Sequence, residues 1–359
     1  MNSNSSVSAG GDAPASAPKT ARVVTNQQHA IVPASGATGD AHDDDGEHEE
    51  APPVVNKLTE CVEFDRDAED VYYVGTSGLK ATEINGLEDM PKLERLHLRS
   101  NLLKSMDGIA SLVQMEHLEL YDNQIQKISC LDTLVNLRVL DLSFNEIRVI
   151  PDLSHLTKLE ELYVANNKLK KISGLTHLTT LKKLDLGANR LRDIEGLEGL
   201  ENLEQLWLGK NKITKIQGLD FLKKLRIISV QSNRLEKIEG FENTLALEEL
   251  YLSHNGITAL EGVAHLKNLT VMDVGANRIT AIPEDIQGLT ELEDLWLNDN
   301  QVEAFSETNH LLPLKKLRTL YLERNPLAKD FEYRKRLEAL LLDLDQIDAT
   351  PTSKARRIR

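Results

Sequence analysis

The stretch 137–145, LRVLDLSFN, decides how most of the chain folds. Its frame, L-x-x-L-x-L-x-x-N, returns as LERLHLRSN at 93–101 and as LKKLDLGAN at 181–189. The asparagine falls at 101, 123, 145, 167, 189, 211, 233, 255 and 277, eight successive steps of 22, and then at 300 and 325 after steps of 23 and 25. Self-similarity at a fixed period marks an array of stacked supersecondary units, each covering the apolar faces of its neighbours. Upstream, 71–87 keeps the apolar pattern without the asparagine, as a capping coil would.

Each position in the frame has a physical reason. The L-x-L element is a short strand whose side chains alternate between faces, so the leucines point inward and the residue between them points to the open side. The asparagine can satisfy backbone groups where the chain leaves the strand, and such buried groups must find partners. Four further apolar columns close each coil, in the first repeat Leu103, Met106, Ile109 and Leu112. A period of 22 leaves little room for a long helix on the return path, so short 3-10 or extended turns fit there. The expected architecture is an α/β leucine-rich-repeat solenoid with a curved parallel sheet on its concave face and 3-10 or turn segments on its convex face. Pro326 stops the last coil, and 330–344 (DFEYRKRLEALLLDL) spaces Leu337, Leu340, Leu341 and Leu344 as a capping helix would. The domain plan is an acidic tail over 1–55, an N-terminal cap and degenerate repeat over 56–92, the array over 93–325, a C-terminal cap over 326–350 and a basic tail over 351–359.

Composition narrows the function. The chain has 359 residues and a formal charge of −15. Nine acids face three bases in residues 1–60, so the body is acidic in its own right. That balance disfavours nucleic-acid binding, which draws its affinity from Lys and Arg, and favours a partner with a basic surface. Residues 1–55 are rich in Ser, Ala, Gly, Pro and Asp, a composition expected to stay disordered as a solubilising extension. Cys61 and Cys130 stand far apart without a second pair, which points to a reducing compartment. Neither a signal peptide nor an apolar run of spanning length is apparent, so an intracellular, soluble protein without membrane partners is expected.

In a solenoid, information lies in the positions the frame leaves free. The residue four before each asparagine sits mid-strand on the concave face. In order these are His97, Glu119, Asp141, Tyr163, Asp185, Trp207, Ser229, Tyr251, Asp273, Trp296 and Tyr321. Five of the eleven are aromatic in a chain that averages 4%, and four more are acidic. Sheet propensity accounts for Tyr but not for carboxylates alternating with Trp, whereas aromatics beside charges make up interface hot spots. Asp294, two residues before Trp296, faces the same way.

The segments LGKNKITKI (208–216), QSNRLEKIEG (231–240), YLSHNGI (251–257), YLERNPLAKDFEYRKRL (321–337) and QIDAT (346–350) closely resemble the leucine-rich-repeat regulatory subunits of the Ser/Thr protein phosphatase 1. The resemblance covers roughly 65–350 and rests on residues between the frames, which generic 22-residue repeats do not share. It implies that the concave column docks the phosphatase catalytic subunit through Asp141, Tyr163, Asp185, Trp207, Asp273, Asp294, Trp296 and Tyr321, with Glu119 and Tyr251 as an extension. That family usually shows Phe where this chain has Tyr163 and Trp207, and Glu where it has Asp185 and Asp294, changes that keep aromatic or acidic character. It further implies a nuclear and cytoplasmic distribution, a role in phosphatase maturation or targeting, and a complex shared with a second phosphatase inhibitor. The short basic-Val/Ile-x-Phe/Trp peptide used by many phosphatase 1 partners has no convincing copy; Arg22-Val23-Val24-Thr25 lacks the aromatic.

Other signals carry less. His155, His177 and His265 share a column, but duplication explains that, no carboxylate or cysteine completes a tetrad, and no metal or cofactor is expected. No phosphate-binding glycine loop or nucleophile–base set is present, and exposed strand carboxylates have no reason to hold a raised pKa, so an enzyme is not expected. Lys354, Arg356, Arg357 and Arg359 fit a solvated end better than an import signal. The competing reading is a repeat scaffold for a ribonucleoprotein or cytoskeletal partner.

Overall fold

The computed structural model describes residues 20–21, 56–76 and 78–358. Apart from Thr20–Ala21, the tail expected over 1–55 lies outside the described residues, as does the Arg22–Thr25 peptide. The described strands form one sheet in chain order. They are β1 (Thr20–Ala21), β2 (Asp70–Val74), β3 (Arg95–Arg99), β4 (His117–Glu119), β5 (Val139–Asp141), β6 (Glu161–Tyr163), β7 (Lys183–Asp185) and β8 (Gln205–Trp207). After them come β9 (Ile227–Ser229), β10 (Glu249–Tyr251), β11 (Val271–Asp273), β12 (Asp294–Trp296), β13 (Thr319–Tyr321), β14 (Gln346–Ile347) and β15 (Thr350–Pro351). Every pairing up to β14 is parallel, which requires a crossover coil between neighbours.

The core runs along the coil as one continuous column. In the coil that opens with LRVLDLSFN, Leu137, Leu140, Leu142, Ile147, Ile150, Leu153 and Leu156 are all buried. Each such side chain contributes about 1.5–3 kcal/mol by leaving water. The return path is built of turns, and 3-10 helix appears where the period lengthens. Glu284–Gly288 lies in the 23-residue step and Phe305–Leu311 in the 25-residue step. The extra residues are accommodated on the convex side, and the sheet keeps its register.

The asparagine ladder sets that register. In one rung, Asn189 Oδ1 accepts from Leu169 N–H at 2.9 Å, while its amide donates to Val164 O, Leu186 O and Gly187 O at 2.9, 3.1 and 3.2 Å. One side chain therefore ties two coils at four backbone groups, and the same pattern repeats from Asn123 to Asn300. The residue before each asparagine is left-handed, for example Ala188 (φ 51°) and Ala276 (φ 51°), a conformation in which an L side chain is strained.

Both ends are closed. At the N-terminal end, α1 (Leu58–Cys61) precedes β2, which pairs with β3 over five residues, so the degenerate repeat makes a full strand. At the C-terminal end the helix is shorter than the leucine spacing suggests. α2 spans Tyr333–Leu340, and Leu341 already leaves helical geometry (φ −110°, ψ 78°). The chain must turn there to lay β14 against β13, with β15 folded back antiparallel. Arg334 clamps this hairpin by donating to Ile347 O, Thr350 O and Pro351 O. Asp348 stands in for the ladder asparagine, accepting from Leu322 N–H and Glu323 N–H at 2.9 Å each. The last described element is α3 (Ser353–Ile358), which carries Lys354 and Arg356.

Candidate functional site

Strand register places the sequence-derived column side by side. His97, Glu119, Asp141, Tyr163, Asp185 and Trp207 are successive partners across β3 to β8. Ser229, Tyr251, Asp273, Trp296 and Tyr321 continue it through β13. Asp294 occupies the neighbouring column, between Val271 and Thr319. The column also reaches Tyr72 on β2, whose side chain is exposed and lies 5.6 Å from the His97 ring. Without an asparagine frame around it, Tyr72 was invisible to the repeat count.

The aromatics are organised in pairs. Trp207 and Tyr251 stack at 6.2 Å with planes 22° apart. They are two strands apart, and the residue between them, Ser229, is buried and small enough for the rings to close over it. Trp296 and Tyr321, on adjacent strands, meet edge to face at 6.0 Å. The Tyr251 hydroxyl donates to Glu249 at 2.7 Å, and Gln346 donates to the Tyr321 hydroxyl at 2.6 Å. These bonds hold the rings in one orientation, and a ring already ordered loses little freedom if it is covered. The buried Trp207 indole N–H has no hydrogen-bond acceptor among the described residues.

The carboxylates differ from the exposed row expected from sequence. Glu119 and Asp273 are buried, and Asp141 and Asp185 are half-buried. Burial raises the pKa of Asp141 against the opposing hydrogen bonds from Ser143, and raises that of Asp185 against the Gly187 N–H and Lys183. The expectation of unperturbed acids is therefore corrected: bulky side chains on adjacent strands shield them from water. Backbone N–H groups two residues on hold these acids in place, Ser143 on Asp141 at 2.8 Å, Gly187 on Asp185 at 2.9 Å and Gly275 on Asp273 at 3.0 Å. Glu119 behaves differently. Burial alone would raise its pKa, but hydrogen bonds from His97 and Arg99 outweigh it and hold the carboxyl below its usual range. Its charge is answered within the chain, whereas Asp141, Asp185 and Asp294 have no cation paired with them among the described residues at salt-bridge distance.

Among the described residues of this face, no serine, threonine or cysteine is hydrogen-bonded to a histidine. The half-buried acids sit on a rigid sheet in separate rungs, suited to meeting a cation rather than to moving a proton. Among the described residues no helix is long and apolar enough to cross a membrane.

Comparison with known proteins agrees with this geometry. Leucine-rich-repeat family models match residues 91–147, 135–177, 179–221, 201–243 and 246–356. A leucine-rich-repeat protein of Leptospira interrogans superimposes with a TM-score of 0.69 at 30% identity, over 74% of this chain and 69% of that one. An internalin from Listeria monocytogenes gives 0.68 at 29% identity, over 78% of this chain and 79% of its own. Among curated proteins, the protein phosphatase 1 regulatory subunit SDS22 of Schizosaccharomyces pombe is 43% identical over 68 residues, 18% of this chain and 20% of that protein. The human protein phosphatase 1 regulatory subunit 7 is 46% identical over 49 residues, 14% of each chain. These matched stretches span a fifth or less of the curated relatives. With its frame, sheet and asparagine ladder accounted for, the chain belongs to the leucine-rich-repeat family.

Proposed function

We propose that this chain is a non-catalytic regulatory subunit that binds the catalytic subunit of protein phosphatase 1 through its concave face. The observation that carries the reading is the column itself: two preformed aromatic pairs, Trp207–Tyr251 and Trp296–Tyr321, set among Asp141, Asp185, Asp273 and Asp294. Aromatic pairs fill apolar recesses and supply most of the binding energy, while the acids meet basic side chains and set orientation. The partial likeness to three phosphatase 1 regulatory subunits, from fission yeast, Dictyostelium and human, supports that partner over another protein with a basic surface. A second inhibitor in the same complex and a nuclear and cytoplasmic distribution belong to the same proposal.

Trp296→Ala combined with Tyr321→Ala tests it. Both rings stand on the sheet's open face, so the double variant should leave thermal unfolding nearly unchanged and lose co-purification with the catalytic subunit. Interface hot spots of this kind cost about 2–4 kcal/mol each on truncation. Retained binding by the folded double variant refutes the assigned surface.

A further inference from the structure

The N-terminal end of the concave face holds a cluster that shares only Glu119, an extension residue, with the docking reading. His97 Nδ1 lies 2.8 Å from Glu119 Oε2, and the His97 and His117 rings are 4.7 Å apart. One donor atom each from His97, His117 and Glu119 fall within 4.8 Å of one another, and Glu119 is buried. Among the described residues the His117 side chain makes no hydrogen bond, and Asp70 Oδ1, buried 3.9 Å from His97 Nε2, has no hydrogen-bond donor. We propose that His97, His117 and Glu119 form a binding site for a zinc-class divalent transition ion.

The donor set selects the ion. Two imidazoles and one carboxylate suit zinc and its neighbours, whereas calcium and magnesium require oxygen ligands. A tetrahedral zinc with bonds of about 2.0–2.2 Å holds its ligand atoms roughly 3.3–3.5 Å apart. The His97–Glu119 pair must open by about half an ångström and the widest pair must close by up to roughly 1.4 Å, both within side-chain rotation on a fixed sheet.

The surrounding residues complete the arrangement. With the ion on Nδ1, His97 carries its proton on Nε2, facing Asp70 Oδ1. Asp70 is held from its other oxygen by Arg95 Nε at 3.3 Å, leaving Oδ1 to accept. A carboxylate on the far nitrogen of a ligating histidine orients the ring and raises its basicity. Arg99 binds Glu119 through Oε1 and leaves Oε2, the atom facing His97, for the ion. The His97 Nδ1···Glu119 contact of the metal-free chain is replaced on binding, and a neutral His97 keeps its one ring proton, which sits on Nε2 once the ion takes Nδ1. Three protein ligands leave a fourth position for water.

Sequence pattern hid the site. His97 and His117 are one repeat less two residues apart, so they share no column and meet only once register is known. The His155, His177 and His265 column, the obvious candidate in the sequence, does not converge with carboxylates in this way.

Chelator-stripped full-length chain, dialysed against zinc chloride and counted by mass spectrometry, should hold one zinc per chain. Cobalt(II) in its place should give the visible absorption of a four-coordinate ion. His117→Gln, a side chain without hydrogen bonds to lose, should abolish stoichiometric zinc and the cobalt spectrum while circular dichroism stays unchanged. Asp70→Asn should weaken zinc about 10–100-fold without changing the stoichiometry. His155→Gln with His177→Gln should bind as wild type. Absence of stoichiometric zinc in the wild type, or full zinc binding by folded His117→Gln, overturns the proposal. Because neither readout involves a phosphatase, the result is independent of the docking surface.

Discussion

Replacing Asn189 with Ala tests the ladder at its centre. Four hydrogen bonds are lost, but they are not equivalent. Val164 O keeps a donor in Asn167, Leu186 O keeps one in Asn211, and Gly187 O keeps the N–H of Asn166. Leu169 N–H has no substitute and is left buried without an acceptor. An orphaned buried donor costs about 1–3 kcal/mol, and the weakened carbonyl contacts add roughly 1 more, so we expect destabilisation of ~2–4 kcal/mol. Thermal unfolding followed by far-ultraviolet circular dichroism should fall by about 5–10 °C. Asn189→Asp separates donor from acceptor. It keeps an oxygen for Leu169 N–H but turns a carboxylate toward three carbonyls, so its folded-state pKa must rise. Stability is then lost as pH rises above the ordinary carboxylate value of ~3.9, and the variant should be closest to wild type in acid. An Asn189→Ala chain within about 0.5 kcal/mol of wild type would show that the ladder is decorative and refute the reasoning.

Other outcomes follow from features already described. Ala188→Gly and Ala276→Gly relieve a left-handed alanine, worth about 1–2 kcal/mol, against a glycine entropy cost of about 0.5–1. Each should raise the unfolding free energy by roughly 0.5–1 kcal/mol, and a fall in either variant would contradict the strain argument. Asp185→Asn should stabilise the chain at pH 7, since burial raises the Asp185 pKa and Asn can still accept from Gly187 N–H. An acid with a raised folded-state pKa loses stability as pH climbs from its unfolded to its folded value, so the advantage of Asn should vanish in acid. Unfolding midpoints at pH 7 and pH 4 that differ from wild type by the same amount would disprove it.

The fold was legible because a solenoid is nearly one-dimensional. Once the asparagines gave the period, the leucine columns, the parallel sheet and the neighbours of Trp207 or Asp273 followed from arithmetic. Burial was not legible to the same degree. Whether Asp141 is wet depends on the bulk of side chains one strand away, which the count of acids and aromatics ignores. The left-handed residues carry little signal either: the position before the asparagine holds Ser, Asp, Phe, Asn, Ala, Lys, His or Arg, with no glycine to mark it. The C-terminal end misled for a different reason. Leu337 to Leu344 have helical spacing, but closing the open sheet edge with β14 overrides the local preference after Leu340. The meeting of His97 with His117 leaves no mark in the sequence, because the frame sorts residues by column and these two meet diagonally.

Stacking in register makes position along the groove an integer. The Trp207–Tyr251 clasp and the Trp296–Tyr321 clasp are separated by the single strand of Asp273, and each clasp is assembled from its own coils. Loss or gain of one whole coil between β10 and β12 would move one clasp against the other by about 4.8 Å and leave both intact. Unequal recombination between repeats can therefore exchange the partner in one step while the fold survives, and point mutation can only tune the grip on a partner already chosen.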